Sequence, residues 1–564
     1  MATTANRRGY AVGLDYGTNS ARAVVVDLDD GRELAAHVFP YRRGEHGVVV
    51  SDRDPHLARQ HPADYVEGFV AAVGGAVKAA RKIKTFDPAR VVGLGVDTTG
   101  STPIPVDRDG TPLALLPQFA DNPDAMAWLW KDHTAWKEAA AITKLAAEMK
   151  LPYLDKCGGV YSSEWFWSKI WRCRIAAPAV FRAAYSWVEL CDFVPAWACG
   201  QTNPATLRRS VCAAGHKAMY HPAWGGLPSA AFLKKLHPDL AQLRARLYET
   251  AVPSNEVAGR LAPDVAKKVG LPAGIVVAVG AFDAHHGAVG AGIRPGVLVK
   301  VIGTSTCDMA VAPAKGAPEV LPGVCGLVPG SILPGLVGVE AGQSAVGDIF
   351  NWFARGFSGE KSADDAHARL NREAAALAPG QSGLLALDWN NGNRTILVDP
   401  RLSGLLLGQT LRTTPGEVYR ALVEATAFGA RAIVERMEEY GVPVKTVVNC
   451  GGIAEKSSLV MQIYADVLNR PMRISRSSQT CALGAALFGG VAAGAYKTVE
   501  AAQKAMCGVK EKAYAPNAKA VRVYNELYGL YHRLHDAFGG VERKADLGGV
   551  MKKLLELQAK SAQR

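Results

Sequence analysis

A strand–turn–strand unit opens the chain and returns near its middle, and any fold must seat both copies. Tyr10–Asp27 reads YAVGLDYGTNSARAVVVD. Tyr10–Leu14 and Arg22–Val26 are apolar and β-branched enough to pair as strands. Asp15, Gly17, Thr18, Asn19 and Ser20 form the polar turn between them. Val297–Val311, VLVKVIGTSTCDMAV, repeats the pattern around Gly303, Thr304 and Ser305. A glycine lets the backbone bend tightly and a ligand come close. The hydroxyls and backbone N–H groups that follow can cradle a phosphate. Asp15, ending a buried strand, suits a hydrated Mg²⁺, which prefers carboxylate and water oxygens. One such turn could be an ordinary hairpin. Two, opening halves of similar length, point to a duplicated phosphate grip.

At 564 residues the chain exceeds a single core. Two large α/β domains are expected, 1–293 and 294–540, followed by an exposed basic tail, 541–564. In the first half, His61–Lys82 carries apolar Tyr65, Phe69 and Val73 at helical spacing. Val91–Val96 is a buried strand running into Asp97-Thr98-Thr99-Gly100-Ser101-Thr102. A carboxylate and hydroxyls there sit where open α/β sheets bind ligands, although turn chemistry also uses these residues. Tyr185–Trp197 reads as a helix, Cys212–Tyr220 as a polar turn carrying His216 and Lys217, and Ser229–Arg246 as one helix. Lys217 is either solvated or holds a substrate oxygen. The aromatics Trp165, Phe166 and Trp167 read as core.

Gly274–Gly292, GIVVAVGAFDAHHGAVGAG, places Asp283 at a strand-to-helix junction. Capping alone would explain an acid there. It could equally face a cleft and accept a proton from an alcohol. His285 and His286 read as packed histidines. Leu336–Val339 is a strand ending at Glu340, in a context like that of Asp283. Leu384–Leu387 and Ile396–Val398 are expected to flank a loop. Thr446–Cys450 runs into Gly451-Gly452, a turn on which a nucleotide could lie. Cys481–Ala493 is a helix of small residues, including Ala482. Its Gly484 admits either another element or an adenine ring.

The formal charge is +12, but the basic residues are dispersed, with no basic stripe interleaved with aromatics, so nucleic acid is not the expected partner. No apolar run reaches membrane-spanning length, and MATTANRRGY lacks the apolar core of a signal peptide. The ten cysteines form no C-x-x-C pair, which suits free thiols in a reducing, cytoplasmic setting.

From Tyr10 to about Tyr531 the chain resembles the FGGY carbohydrate kinases. GLDYGTNSARA, GVDTTGSTP, WKDHT, GGVYSSEWFWSKI, AGHKAMYH, GAFDAHHGAVGAG, VKVIGTSTCD, EAGQSAVGDI, EATAFGARAI, CGGIAEKS and CALGAA occur in family order. The resemblance implies two actin-like domains, each a mixed sheet flanked by helices, with sugar and ATP meeting in the cleft between them. It implies transfer of the γ-phosphoryl group of ATP to the terminal hydroxyl of a pentulose. L-Ribulose is favoured, as in L-arabinose catabolism, and D-ribulose, xylulose or ribitol is the alternative. A non-catalytic ATP clamp is a further one. Asp283 is then the general base. Asp97, Gly100, Lys217, Asp283 and Glu340 are sugar contacts. Asp15, Gly17, Thr18 and Asn19 form the first phosphate loop, with Mg²⁺ near Asp15, and Gly303, Thr304 and Ser305 form the second. Gly451, Gly452, Ala482 and Gly484 resemble the adenosine site. Sugar and ATP are the expected partners; a homodimer is compatible with the resemblance. The chain departs from the family in its basic tail and in a shorter stretch before Leu384.

Overall fold

The computed structural model describes residues 8–562. Both halves build the same sheet. In the first, β1 (Tyr10–Tyr16), β2 (Ser20–Asp27) and β3 (Glu33–Pro40) are antiparallel neighbours. β4 (Val91–Thr98) lies parallel to β1, β5 (Val257–Arg260) forms the far edge, and β6 (Val276–Ala278) and β7 (Ala281–Phe282) pair with β4. The order is β3-β2-β1-β4-β6-β5, with β7 also beside β4. In the second, β8 (Gly296–Ile302), β9 (Thr306–Pro313), β10 (Gly326–Pro329), β11 (Leu336–Ala341), β12 (Val444–Cys450), β13 (Met472–Ser475) and β14 (Val509–Tyr514) run in the order β10-β11-β9-β8-β12-β13-β14. From β11 to β14 the order and strand directions reproduce those from β3 to β5. The two opening hairpins, β1–β2 and β8–β9, occupy equivalent places. The outermost strands β5 and β14 escape sequence reading because they are short and largely solvent-facing, and edge strands carry polar residues.

Helix α1 (Pro62–Ala80) starts where expected, with the His61 ring capping Ala63 N–H and Pro62 in the first turn. Several expected elements differ. Cys212–Tyr220 is not a turn: α2 (Val211–Lys217) buries His216 and Lys217. Small residues there, Ala213, Ala214 and Gly215, allow close helix packing that a polar-turn reading overlooks. Tyr185–Trp197 divides into a strand, Ser186–Glu189, and a helix, Leu190–Ala198. The span from Ser229 breaks at His237, because Pro238 cannot continue the helix before it.

Between the two sheets lie α3 (Asp283–Gly290) and a helix from the second half. The latter follows α4 (Pro415–Glu439), whose Thr414 and Glu417 form a reciprocal capping box, and is α5 (Thr480–Ala492). α5 lies against β1 and β4 of the first sheet: a Cβ on Gly13 would stand 1.7 Å from the Ala482 carbonyl oxygen, and one on Gly95 1.9 Å from that of Ala485. One core cluster therefore joins both halves, with Val24, Ala288, Val299, Val448 and Ala482 among its members.

Leu385–Leu387 pairs with Leu405–Leu407, and Ile396–Val398 forms no strand, Ile396 and Val398 both having positive φ. The tail is not wholly exposed either. α6 (Val550–Ala562) packs Val550, Leu554 and Leu557 into the core of the second half. These apolar positions recur at helical spacing, but the surrounding lysines hide them from a compositional reading. All ten cysteines are free. Among the described residues no helix is long and apolar enough to cross a membrane.

Candidate active site

The strand ends converge on one point. Asp15 and Asp97 are register partners on the parallel strands β1 and β4, and Ala281 of β7 pairs with Asp97. Asp283 follows two residues later as the first residue of α3. Three carboxyls thus share one end of the first sheet. Asp97 is fully buried, and neither of its oxygens has a hydrogen-bond partner. Burial pushes its carboxyl well above the usual range, and Asp15 and Asp283 push it further. Burial also raises Asp15, against the opposing influence of the neighbouring Asp97 side chain and of the Arg22 charge, 4.0 Å away. Asp283 is raised to about 7, first by burial and then by the charge of Asp15. Its Oδ1 accepts the Ala284 N–H at 2.7 Å.

Three neighbouring acids, one of them fully buried, repel one another when ionised, and a cation among them would relieve that repulsion. The orphaned oxygens of Asp97 beside Asp15 therefore fit a Mg²⁺ ion, a ligand set of hard oxygens.

Both hairpin turns remain open to solvent, and each is closed by its glycine N–H: Gly17 to Ser20 O and Gly303 to Ser305 O, both at 3.0 Å. The Thr18 hydroxyl accepts the Trp130 indole N–H at 3.1 Å, and the Asn19 amide donates to His46 O at 2.6 Å. Thr304 O accepts Val346 N–H at 2.8 Å, tying the second turn to the segment that follows β11. Beneath that turn Lys300 is fully buried, with its ammonium at 2.8 Å from both Asp308 oxygens and 3.1 Å from Gln343 Oε1.

Beside Asp283 a charge cluster bridges the halves. Lys217 Nζ from α2 donates to Glu340 Oε1 on β11 at 2.7 Å. His216 Nδ1 lies 3.2 Å and His285 Nε2 3.6 Å from Glu340 Oε2. Burial disfavours the Glu340 carboxylate, but Lys217 and the imidazoles outweigh it and hold the group at about 2. Burial likewise works against the Lys217 ammonium, which Glu340 holds at about 12. The ammonium lies 5.3 Å from the Trp165 ring and 5.8 Å from Phe282. Trp165, read as core, is thus also a wall of the site, and His216 and His285 belong to it. Nothing in their local sequence distinguishes them from packed residues.

Gly100 has a steric reason. A Cβ there would meet the Phe282 ring at 1.9 Å. Its loop is gripped by Lys169, which donates to Ser101 O and Leu129 O at 2.8 Å each, and by Glu189, which accepts the Thr102 N–H at 2.7 Å and the Ser101 hydroxyl. Both grips come from distant sequence, so no local pattern announces them.

Gly451 has φ +96°, and a Cβ there would stand 2.5 Å from Ile302 O; Gly452 faces open space. Ala482 and Gly484 lie in close backbone contacts with the first half. Ala482 is fully buried against Gly13, and a Cβ on Gly484 would stand 1.9 Å from the His286 carbonyl oxygen. The close approach at 484 shows the helix-packing use of a small residue there.

Residues 298–493 match the model of the C-terminal domain of the FGGY family of carbohydrate kinases. The chain is 44% identical to a ribulokinase from Halalkalibacterium halodurans, covering 98% of both chains. It belongs to the FGGY carbohydrate kinases. The kinase is also 41% identical to a ribulokinase from Vibrio parahaemolyticus over 95% of its own length and 97% of that chain. In fold it is similar to a xylulose kinase from Rhodospirillum rubrum, with a TM-score of 0.78 at 24% identity, covering 94% of this chain and 99% of that one. The two-lobed sugar-kinase fold expected from the motifs is the one observed.

Proposed function

We propose that the kinase moves the γ-phosphoryl group of ATP to the terminal hydroxyl of L-ribulose, with Asp283 as general base. The observation that carries this reading is the convergence of Asp15, Asp97 and Asp283 beside the Lys217–Glu340 bridge. The near-complete match to ribulokinases supports the choice of sugar. Residues 1–293 are taken as the sugar side and 294–540 as the nucleotide side.

Lys217 and Glu340 present a donor and an acceptor to sugar hydroxyls, and Gly100 leaves backbone within reach. The turns at Gly17–Asn19 and Gly303–Ser305 offer N–H groups and hydroxyls to the phosphates of ATP. Gly451 and Gly452 leave room for the nucleoside. Asp15 and Asp97 would hold Mg²⁺, which supplies charge neutralisation on the transferring phosphates. Asp283 takes the proton of the attacking hydroxyl, so its carboxylate must be ionised when the sugar arrives. Closure of the two halves around both substrates excludes water and so limits hydrolysis of ATP.

The raised carboxyl of Asp283 sets a pH dependence. Protonated Asp283 cannot accept the proton, so kcat/KM for the sugar should climb as pH rises through the range in which Asp283 ionises, about 7 without a cation and lower once Mg²⁺ offsets the charge of Asp15, and then level off. A profile that stays flat across that range would remove Asp283 from the base role. For Lys217→Ala the expected outcome is an increase of ~10-fold or more in KM for the sugar, with KM for ATP nearly unchanged. Steady-state kinetics with each substrate varied in turn checks this, and an effect on ATP alone would move Lys217 out of the sugar pocket. A coupled ADP-release assay over L-ribulose, D-ribulose, xylulose and ribitol tests the reading as a whole. ATP turnover independent of any sugar would overturn it.

A further inference from the structure

A second charged bridge stands beside the first. Arg394 Nη2 lies 3.7 Å from Glu164 Oε1, so a residue of the second half again faces one of the first. Both ends are anchored close to the Lys217–Glu340 pair. Thr395 Oγ1 accepts the Gly342 N–H at 2.9 Å and donates to Gly342 O at 2.7 Å, which fixes Arg394 just beyond the end of β11, the strand that carries Glu340. Glu164 directly precedes Trp165, whose ring lies under the Lys217 ammonium.

Arg394 is poorly occupied for a cation so placed. Among the described residues its guanidinium makes no hydrogen bond, and Glu164 is its one ion-pair partner, with 27% of the Arg394 side chain exposed. A guanidinium carries five N–H donors in a planar fork, so most of this capacity is free. The surroundings also order the site. The groups whose fields act most on Arg394 include Glu164, Cys307, Cys325 and Glu340, whereas those acting on Asp283 include Asp15, Glu340 and Lys217. Glu340 is common to both sets. Arg394 and the three carboxyls thus have Glu340 as a shared neighbour.

We propose that Arg394, oriented by Glu164, binds the end of the sugar remote from the transferred phosphoryl group and selects for a ketose there. The proposal rests on the pentulose-kinase reading above. If the terminal hydroxyl lies at Asp283, the carbon chain runs past Lys217 and Glu340, and its carbonyl and adjacent hydroxymethyl group come to the guanidinium. Two adjacent oxygens, one of them a planar carbonyl, match two parallel N–H donors. A pentitol offers no carbonyl acceptor. A pocket built to hydrogen-bond a group discriminates against analogues that lack it.

Kinetics of Arg394→Met, Arg394→Lys and Glu164→Gln with L-ribulose, and with ribitol as substrate or competitor, test the idea. For Arg394→Met the expected fall in kcat/KM for L-ribulose is at least ~10-fold and mostly in KM, with ribitol affinity and KM for ATP altered less than ~3-fold. Arg394→Lys keeps the charge without the fork and should recover only part of the loss. Glu164→Gln should show a weaker form of the same sugar-selective effect. Equal losses for ribulose and ribitol, a main effect on ATP, or full recovery by lysine would each overturn the proposal. Inability of the unaltered kinase to phosphorylate any pentulose would instead refute the functional reading beneath it, so the two failures are distinct.

Discussion

Asp283→Asn is expected to lower kcat for sugar phosphorylation by ~10²–10⁴-fold, the usual worth of a positioned base, while ATP binding persists. The substitution keeps the shape of the side chain and its acceptor toward Ala284 N–H, and removes only the basic oxygen. It should also stabilise the protein at neutral pH. The folded-state carboxyl sits at about 7, above its ordinary value of 3.8. Its charged form is therefore disfavoured by folding: the cost is absent below the ordinary carboxylate range, grows as pH rises, and is full above about 7. Asparagine never carries that charge. A higher Tm together with near-complete loss of turnover would separate a missing base from a damaged fold. Unchanged kcat would end the assignment. A bound Mg²⁺ reduces the field of Asp15 on Asp283, so the gain in Tm should be largest in the metal-free protein.

Gly484→Ala is expected to destabilise the kinase by about 3 kcal/mol or more, far above the usual cost of a surface change. The added Cβ would stand 1.9 Å from the His286 carbonyl oxygen and 2.7 Å from its carbon. Backbone cannot rotate aside as a side chain can, so α3 and α5 must separate. Because α3 begins at Asp283, the same shift should lower kcat before the protein unfolds. Gly529→Ala is the natural control. That glycine lies exposed within a helix, Ala518–Phe538, and its Cβ would meet nothing within 4 Å. Alanine there should stabilise by about 0.5–1 kcal/mol through helix propensity. Thermal melts of the two variants check both signs. Tolerance of alanine at 484 would mean that the two helices are not in backbone contact.

The duplicated architecture was legible because each half repeats a local pattern: an apolar strand, a glycine turn with hydroxyls, and a second strand. Helices such as Pro415–Glu439 were legible from their boundary residues. Asp97, Asp283 and Glu340 could be picked out because each ends a strand, where α/β sheets gather ligands. Misreadings came where the local signal was ambiguous or absent. AGHKAMYH carries two polar residues among small ones, and only packing makes it a buried helix. A small residue such as Gly484 reports a close approach without saying what approaches.

The residue order alone thus determined the two hairpins and the acids at the strand ends, since these depend on spacing over a few residues. Tertiary structure decided which residues meet. It set Glu340 against Lys217, His216 and His285, closed Lys169 and Glu189 around the Gly100 loop, and brought Arg394 to Glu164. Those partners lie far apart along the chain, and their energies depend on burial and distance, quantities that come into being only when the two halves fold against each other.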